Sequence, residues 1–99
     1  MIKLYRATSL IDGQGLFAGE PIKCGGLVGK FKGKRTNKSS KHTLWVYDND
    51  EYVSYHITNL LKYANHSDDP NVEGIHLEMY ALRDIEKDEE ITFHYGEDW

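Results

Sequence analysis

Short stretches of alternating apolar and polar residues, together with short apolar runs, recur along this chain. Both patterns are typical of β-strands when turn-forming residues bound them. Asp12-Gly13, Pro21 and Gly25-Gly26 supply such boundaries in the first third of the sequence. The pattern therefore predicts strands over residues 2–6, 16–18, 27–31, 77–82 and 90–93.

The middle of the chain predicts a β-hairpin. Residues 43–47 and 51–55 are rich in aromatic and β-branched side chains, and the polar residues 48–50 separate them. Residues 58–64 fit a helix of at most about two turns, whereas the Lys-, Ser- and Gly-rich stretch 32–42 predicts a mobile loop. We expect a mainly β protein of small sheets with very little helix.

The length of 99 residues fits one domain, residues 1–99, with a thin core. No apolar run reaches the roughly 18 residues that span a membrane. Residues 1–20 lack the layout of a signal peptide. The single cysteine permits neither an intrachain disulfide nor a cysteine zinc site. These features indicate a soluble intracellular protein without a membrane partner.

Charge narrows the classes of partner. The net charge is −4 and the isoelectric point is about 5.7, which argues against a nucleic-acid partner, because such domains usually carry a basic excess. Eleven of the 16 acidic residues lie between Asp68 and Asp98. Six of the 12 basic residues are Lys30, Lys32, Lys34, Arg35, Lys38 and Lys41. These clusters are either two solvated faces or an acidic half that attracts a cationic peptide.

Residues 13–18 match the dinucleotide fingerprint G-x-G-x-x-G/A. That fingerprint must open a helix within a βαβ unit. Here Pro21 and two further glycines follow, in a chain with almost no predicted helix. We therefore reject the nucleotide interpretation. A glycine pair that lets the backbone approach a partner closely, or a simple turn, is what remains.

Three other chemistries fail on spacing. His66, Ser67 and Asp68 are consecutive, so they cannot readily form a hydrolytic relay. Glu89 and Glu90 are neighbours on a strand, so their side chains point to opposite faces and do not form a glycosidase pair. The histidines show no i, i+4 pair on a helix, and we expect no metal. They are His42, His56, His66, His76 and His94.

The order of four segments resembles the SET domain family of protein-lysine methyltransferases, from about Gly13 to Trp99. The segments are Gly13–Ala18, Phe31-Lys32-Gly33, Asn59 with residues 63–67 and Pro70-Asn71, and residues 84–96. The resemblance implies a β-clip-like fold of small sheets. It also implies that the C-terminal segment is threaded, pseudoknot-like, under a preceding loop, where the terminal Trp99 would dock.

The resemblance implies a site for S-adenosylmethionine, which leaves as S-adenosylhomocysteine. Asn65 would bind the amino group, His66 would contact the adenine largely by backbone, and Trp99 would cover the adenine ring. The backbone that holds the methionine end would belong to Gly13, Gly15 and Leu16. The presence of both Asn65-His66 and Tyr95 favours an enzyme over a binder, because a pure binder needs neither.

The resemblance also implies a narrow aromatic channel for the substrate lysine. Tyr95 would be the active-site tyrosine, and Phe31, Phe93 and either Tyr52 or Tyr55 would line the channel. The amine must be neutral to react, and its ordinary pKa is about 10.4. Desolvation by aromatic walls lowers that pKa, while the ring faces tolerate methylated cations. Alignment of the two substrates would supply most of the acceleration, with no metal.

Departures from the family pattern affect specificity. Phe31 replaces a tyrosine, Asp88 replaces a glycine, and cysteine-rich flanks are absent. The substrate platform is therefore reduced, which implies either a relaxed specificity or completion of the platform by a homodimer partner. Phe93 in place of tyrosine leaves room for larger amines, so we expect products beyond monomethyl-lysine.

Two alternatives to the enzyme stay open. One is a catalytically inactive SET-like module that binds a basic peptide. The other is an unrelated small β-fold, which burial of Trp99 beside Asn65 would exclude. The expected partner is a protein with a target lysine in a basic segment, in the cytoplasm, or in a nucleus or host nucleus if the substrate is a histone.

Overall fold

The computed structural model describes residues 2–36, 43–48 and 51–94, with the backbone alone for residues 43–48 and 51–54. The described chain is mainly β. Its strands are β1 Leu4–Thr8, β2 Gln14–Ala18, β3 Leu27–Lys30, β4 Gly33–Thr36, β5 Thr43–Asp48, β6 Glu51–Ile57, β7 Asn65–His66, β8 Val72–Ile75, β9 Glu78–Ala81 and β10 Glu90–Phe93. A single 3₁₀ turn, Leu60–Tyr63, represents the predicted helix.

The strands form three small sheets, with orders β1-β2-β10-β7, β3-β9-β8 and β4-β6-β5. The predicted hairpin is confirmed, because β5 pairs antiparallel with β6 from Thr43 opposite His56 to Asp48 opposite Glu51. The predicted strand over residues 90–93 coincides with β10. The other predicted strands are present with shifted ends.

Strand β10 lies between an early strand and a central one. It runs antiparallel to β2 and parallel to β7, with Phe93 opposite His66. The loop after β7 is bonded to β10 at both ends, because Ser67 N–H donates to Phe93 O at 3.1 Å and Asn71 N–H donates to Thr92 O at 3.1 Å. The late segment therefore lies beside a preceding loop, and the predicted threading of the C-terminal residues beyond position 94 stays a prediction.

The prediction of a loop over residues 32–42 is wrong for residues 33–36. Gly33–Thr36 forms β4, which pairs antiparallel with β6. Its side chains are mostly exposed and charged, which is typical of an edge strand and leaves no apolar alternation to detect. A Cβ at Gly33 would collide with the carbonyl of His56, so glycine allows this close pairing. Residues 37–42 lie outside the described part of the chain.

The core lies between the sheets and draws on several strands. Leu16, Met79 and Ile91 have no exposed surface, and Leu16 lies opposite Ile91 in the β2–β10 pair. Burial of one such side chain stabilises the fold by about 1.5–3 kcal/mol. β2 and β10 are therefore held together by apolar packing as well as by backbone hydrogen bonds. Among the described residues, no helix is long and apolar enough to cross a membrane.

Asn71 is a buried polar residue that connects the loop after β7 to β10. Its side chain is bonded at both ends: Nδ2 donates to Glu90 O at 2.8 Å and to Glu89 Oε2 at 3.0 Å. Its Oδ1 accepts from Thr92 N–H at 2.9 Å. With 1% of its surface exposed, Asn71 meets the usual requirement that buried polar groups find partners.

Candidate functional site

The loop between β1 and β2 is closed by Ser9. The Ser9 N–H donates to Gly13 O at 2.8 Å, and Ser9 Oγ accepts from Ile11 N–H at 2.9 Å. Gly13 has a φ of +46°, in the left-handed region that glycine adopts without a steric penalty. A Cβ at Gly13 would meet no atom within 4 Å, so its backbone conformation is what favours glycine.

The side-chain nitrogen of Asn65 lies inside this loop. Asn65 is 8% exposed, and its Nδ2 lies within hydrogen-bond distance of four acceptors among the described residues. The acceptors are Ser9 Oγ at 3.1 Å, Asp12 O at 3.1 Å, Gln14 O at 3.3 Å and Glu90 Oε2 at 3.1 Å. An amide NH₂ has two hydrogens, so these acceptors outnumber its donors. We call Ser9, Asp12, Gln14, Asn65 and Glu90 the acceptor cluster.

Glu90 brings a carboxylate into the acceptor cluster. The hydroxyl of Ser9 lies 2.9 Å from Glu90 Oε1 and 2.7 Å from Oε2, and it donates to this carboxylate. Gly15, on β2, makes room for it: a Cβ at Gly15 would lie 2.6 Å from Glu90 Oε2 and 3.0 Å from Ser9 Cβ. The two glycines of the sequence motif therefore have different roles.

Sequence reasoning missed Ser9 and considered Glu90 only as half of a carboxylate pair. The separation of Glu89 from Glu90 is confirmed, because Glu89 accepts from Asn71 Nδ2 and from Glu86 N–H, away from Ser9. A serine before the turn sequence Leu-Ile-Asp-Gly is typical of a turn in which the hydroxyl bonds nearby backbone, and this signal could have identified Ser9. No local signal identifies the Ser9–Glu90 contact.

Leu16 contributes its backbone alone to this region. Its side chain is fully buried in the core, and its backbone pairs with Arg6 on one side and Ile91 on the other. The predicted contact between Leu16 and a cofactor must therefore come from its main-chain atoms.

His66 lies one residue beyond Asn65, at the end of β7. Its side chain is 8% exposed, and Nε2 is 2.9 Å from Asp68 Oδ1. The His94 ring packs edge-on against the His66 ring, with centroids 4.6 Å apart. His94 Nε2 lies 3.7 Å from the same carboxylate oxygen.

Two of the predicted channel residues are in contact. Phe31 is 6% exposed, and its ring centroid lies 6.2 Å from that of Phe93 at an interplanar angle of 49°. Tyr55 on β6 is half-buried and packs against the core. Tyr52 lies opposite Tyr47 in the β5–β6 pair, but its side chain is outside what the structure describes.

Tyr95 and Trp99 lie outside the described residues. The predicted docking of Trp99 beside Asn65 and the predicted position of the Tyr95 hydroxyl therefore stay predictions. The structure places Gly13, Gly15 and Asn65 together, and it places Phe31 beside Phe93.

Two tyrosines, Tyr5 and Tyr80, have raised pKa values. Tyr5 OH donates to Asp88 Oδ1 at 2.8 Å, which joins β1 to the turn before β10. This hydrogen bond, together with partial desolvation and the Asp88 charge, raises the pKa of Tyr5. The pKa of Tyr80 is raised mainly by desolvation. The charge of Glu78 and its hydrogen bond to Tyr80 raise it further.

A model of the SET domain family matches residues 13–96. The chain belongs to the SET domain family. The matched region contains both glycines of the motif, the whole acceptor cluster except Ser9 and Asp12, and the Phe31–Phe93 pair. The fold that the resemblance implied, mainly β with small sheets, is confirmed. No curated protein sequence matches the chain.

Solved structures share the fold of this SET domain. The methyltransferase domain of human histone-lysine N-methyltransferase SETMAR has a TM-score of 0.84 at 21% identity, over 96% of this chain and 45% of that one. A Plasmodium falciparum structure described as a histone methyltransferase has a TM-score of 0.73 at 25% identity, over 100% of this chain and 97% of that one.

A chain of the Chaetomium thermophilum polycomb repressive complex 2 has a TM-score of 0.80 at 21% identity. The alignment covers 100% of this SET domain but 16% of the polycomb chain. The chain thus spans a minor part of two of these relatives and nearly the whole length of the Plasmodium protein.

Proposed function

We propose that this SET domain transfers methyl groups from S-adenosylmethionine to a lysine side chain of a protein substrate. The observation that carries the proposal is the acceptor cluster. It assembles the glycine loop, Asn65 and Glu90 from three separate parts of the family pattern around one amide nitrogen. A domain that merely binds a peptide has no need for this arrangement.

The chemistry of the acceptor cluster fits the methionine end of S-adenosylmethionine. Carbonyl oxygens of Asp12 and Gln14 and the carboxylate of Glu90 together exceed the donors that Asn65 supplies. An ammonium group brings three N–H donors and a positive charge, both of which this surplus suits. Asn65 Oδ1 would accept from the same group. Main-chain atoms of Gly13, Gly15 and Leu16, the backbone of His66 and the ring of Trp99 would bind the rest.

When bound, S-adenosylmethionine supplies an electrophilic methyl group. The remaining task of the protein is to present a neutral amine to it. Phe31 and Phe93, which pack against each other, would desolvate the substrate ammonium and so lower its pKa from about 10.4. Their faces would still accept a methylated cation by cation–π attraction of about 0.5–2 kcal/mol. Tyr95 would orient the amine lone pair, with Tyr52 or Tyr55 completing the channel.

The proposed substrate is a protein with its target lysine in a basic segment. Another structure of the polycomb repressive complex 2 was solved in complex with H3K27me3 and H3K27M. The acidic excess of residues 68–98 would attract a cationic peptide. We place the reaction inside the cell, in a nucleus if the substrate is a histone. A second copy of the chain could complete the substrate platform. Phe93 favours products beyond monomethyl-lysine.

The test begins with calorimetric titration of the protein with S-adenosylmethionine. Asn65→Ala and Glu90→Gln should each weaken binding about 10–100-fold, because hydrogen bonds to a charged group contribute about 1.5–3 kcal/mol. Glu89→Gln is the matched control: it makes the same change one residue away, where the carboxylate faces Asn71. Its affinity should equal that of the wild type.

The second step measures transfer of labelled methyl groups to lysine peptides of varied sequence. Label in protein lysines that disappears in Asn65→Ala supports the enzyme. Peptide binding by a wild type that takes up no cofactor at millimolar concentration would favour the inactive binding module. Equal losses in Glu89→Gln and Glu90→Gln would remove the acceptor cluster from the cofactor site.

A further inference from the structure

A cluster of three potential metal ligands lies beside the proposed cofactor segment. We propose that His66, Asp68 and His94 form a binding site for a divalent transition metal ion of the zinc class. Two imidazoles and one carboxylate are a donor set that suits Zn²⁺ and its neighbours better than Mg²⁺ or Ca²⁺, which prefer oxygen alone. Among the described residues, the ligand atoms of these three side chains lie close enough together to bind one ion.

The separations between ligand atoms match the size of such an ion. Asp68 Oδ1 lies 2.9 Å from His66 Nε2 and 3.7 Å from His94 Nε2, and all three ligand atoms lie within 4.8 Å of one another. Bonds of about 2.0–2.2 Å to a tetrahedral zinc ion place two ligands about 3.4 Å apart. The observed distances lie on both sides of that value. Small side-chain rotations would therefore bring the three ligand atoms to bonding distance from one ion.

The parallel pairing of β7 with β10 creates the cluster. Phe93 lies opposite His66, and Ser67 N–H donates to Phe93 O at 3.1 Å. The residues that follow the two strands therefore leave the sheet at the same end, with Asp68 from one and His94 from the other. The absence of an i, i+4 histidine pair argues against metal sites on helices. It does not apply to ligands gathered by strand pairing.

The ligands combine one fixed group with two accessible ones. The His66 side chain is 8% exposed, and the His94 ring packs edge-on against it. The side chains of Asp68 and His94 are 94% and 40% exposed, so they can adjust around an ion that arrives from solvent. Three protein ligands leave a fourth tetrahedral position for water or another small ligand. The site would therefore exchange its metal readily, unlike a closed structural zinc site.

The metal site shares one residue with the proposed cofactor site, because His66 would use its side chain here and its backbone there. None of the three ligands is in the acceptor cluster, and the metal supplies no step of that reaction. An ion bound here would tie the loop after β7 to the residue after β10. The ion would limit relative movement of β7, which contains Asn65, and β10, which precedes Tyr95 in the sequence.

The experiment is titration of the apo protein with Co²⁺, followed by visible absorption, and with Zn²⁺, followed by calorimetry. We expect one ion per chain, and we expect Asp68→Asn and His94→Asn each to weaken binding at least about tenfold. Both substituted side chains are on the surface, so far-UV circular dichroism and the unfolding midpoint should match the wild type.

His76→Asn is the matched control. It also removes an imidazole, its site is exposed, and its φ of 56° is one that asparagine accepts. Binding by this variant should equal that of the wild type. The proposal is overturned if the wild type binds no ion at about 0.1 mM, which corresponds to about −5.5 kcal/mol. It is equally overturned if Asp68→Asn and His94→Asn bind as tightly as His76→Asn does.

Discussion

Asn65 and Asn71 are both buried asparagines that contact β10, but the hydrogen bonding of their side-chain amides differs. Asn71 has partners for both ends of its amide, two of them on the β10 backbone. Asn65 directs one nitrogen into more acceptors than it can serve. A fully satisfied polar group holds a structure together, whereas a surplus of acceptors around a donor indicates a place for a ligand. Asn71 therefore holds the loop after β7 against β10, and Asn65 belongs to the proposed site.

The largest expected effect comes from Asn71→Ala. It leaves the Thr92 N–H and the Glu90 carbonyl without their side-chain partner in a buried place, which costs about 3 kcal/mol. For a domain of this length that loss corresponds to a fall in Tm of more than about 10 °C. Denaturant unfolding and calorimetry measure both quantities.

Asn65→Ala is the counterpart, with a stability loss of about 1 kcal/mol and its main effect on cofactor affinity. If Asn65→Ala proved the more destabilising of the two, the division between a structural and a ligand-binding asparagine would be wrong.

The glycines sharpen the same comparison. Gly15→Ala puts a methyl group where the Glu90 carboxylate lies, so the acceptor cluster must open and cofactor affinity should fall about tenfold. Gly13→Ala meets no atom and changes only the backbone preference at a positive φ, which costs about 1–2 kcal/mol of stability.

Gly13→Asn should recover part of that stability, because asparagine tolerates this conformation. Calorimetric titration with S-adenosylmethionine, beside unfolding curves, separates the two effects. Equal losses of affinity in Gly15→Ala and Gly13→Ala would contradict the distinct roles assigned to the two glycines.

The smallest expected effect concerns Tyr5, which bonds to Asp88 just before β10. Because the pKa of Tyr5 is raised in the folded protein, the unfolded chain loses this proton first, at about pH 10. The stability from this group is fully present below about pH 10 and is lost as pH rises through the folded pKa. Tyr80, whose pKa is also raised, should add to the same loss.

Tyr5→Phe should therefore show a shallower fall in unfolding midpoint between about pH 9 and pH 11 than the wild type does. Lysines titrate in this range in both proteins, so the difference between the two curves isolates Tyr5. Superimposable curves would mean that the Tyr5–Asp88 bond contributes nothing in solution. Asn71→Ala should shift the whole curve downward without changing its slope.

Much of the architecture was predictable from local pattern. β10 and the β5–β6 hairpin follow from apolar and β-branched residues between turn residues, and the order of motifs predicted the family fold. β4, β7 and β8 were not predicted. β4 is a charged edge strand, and β7 is two residues long, so neither contains a period that a sequence pattern could reveal. Their pairing partners, rather than their own side chains, make them strands.

The candidate site was also predictable only in part. Sequence alone determined which residue types are present: the two glycines of residues 13–18, the Asn65-His66 pair and the aromatic residues Phe31 and Phe93. Only the tertiary structure brought Ser9 to Glu90, 81 positions away, and His94 to His66. Strand pairing between distant segments decides such contacts. Strand pairing uses backbone N–H and C=O groups, which all residues except proline possess. The local sequence of a strand therefore does not reveal which distant strand it pairs with.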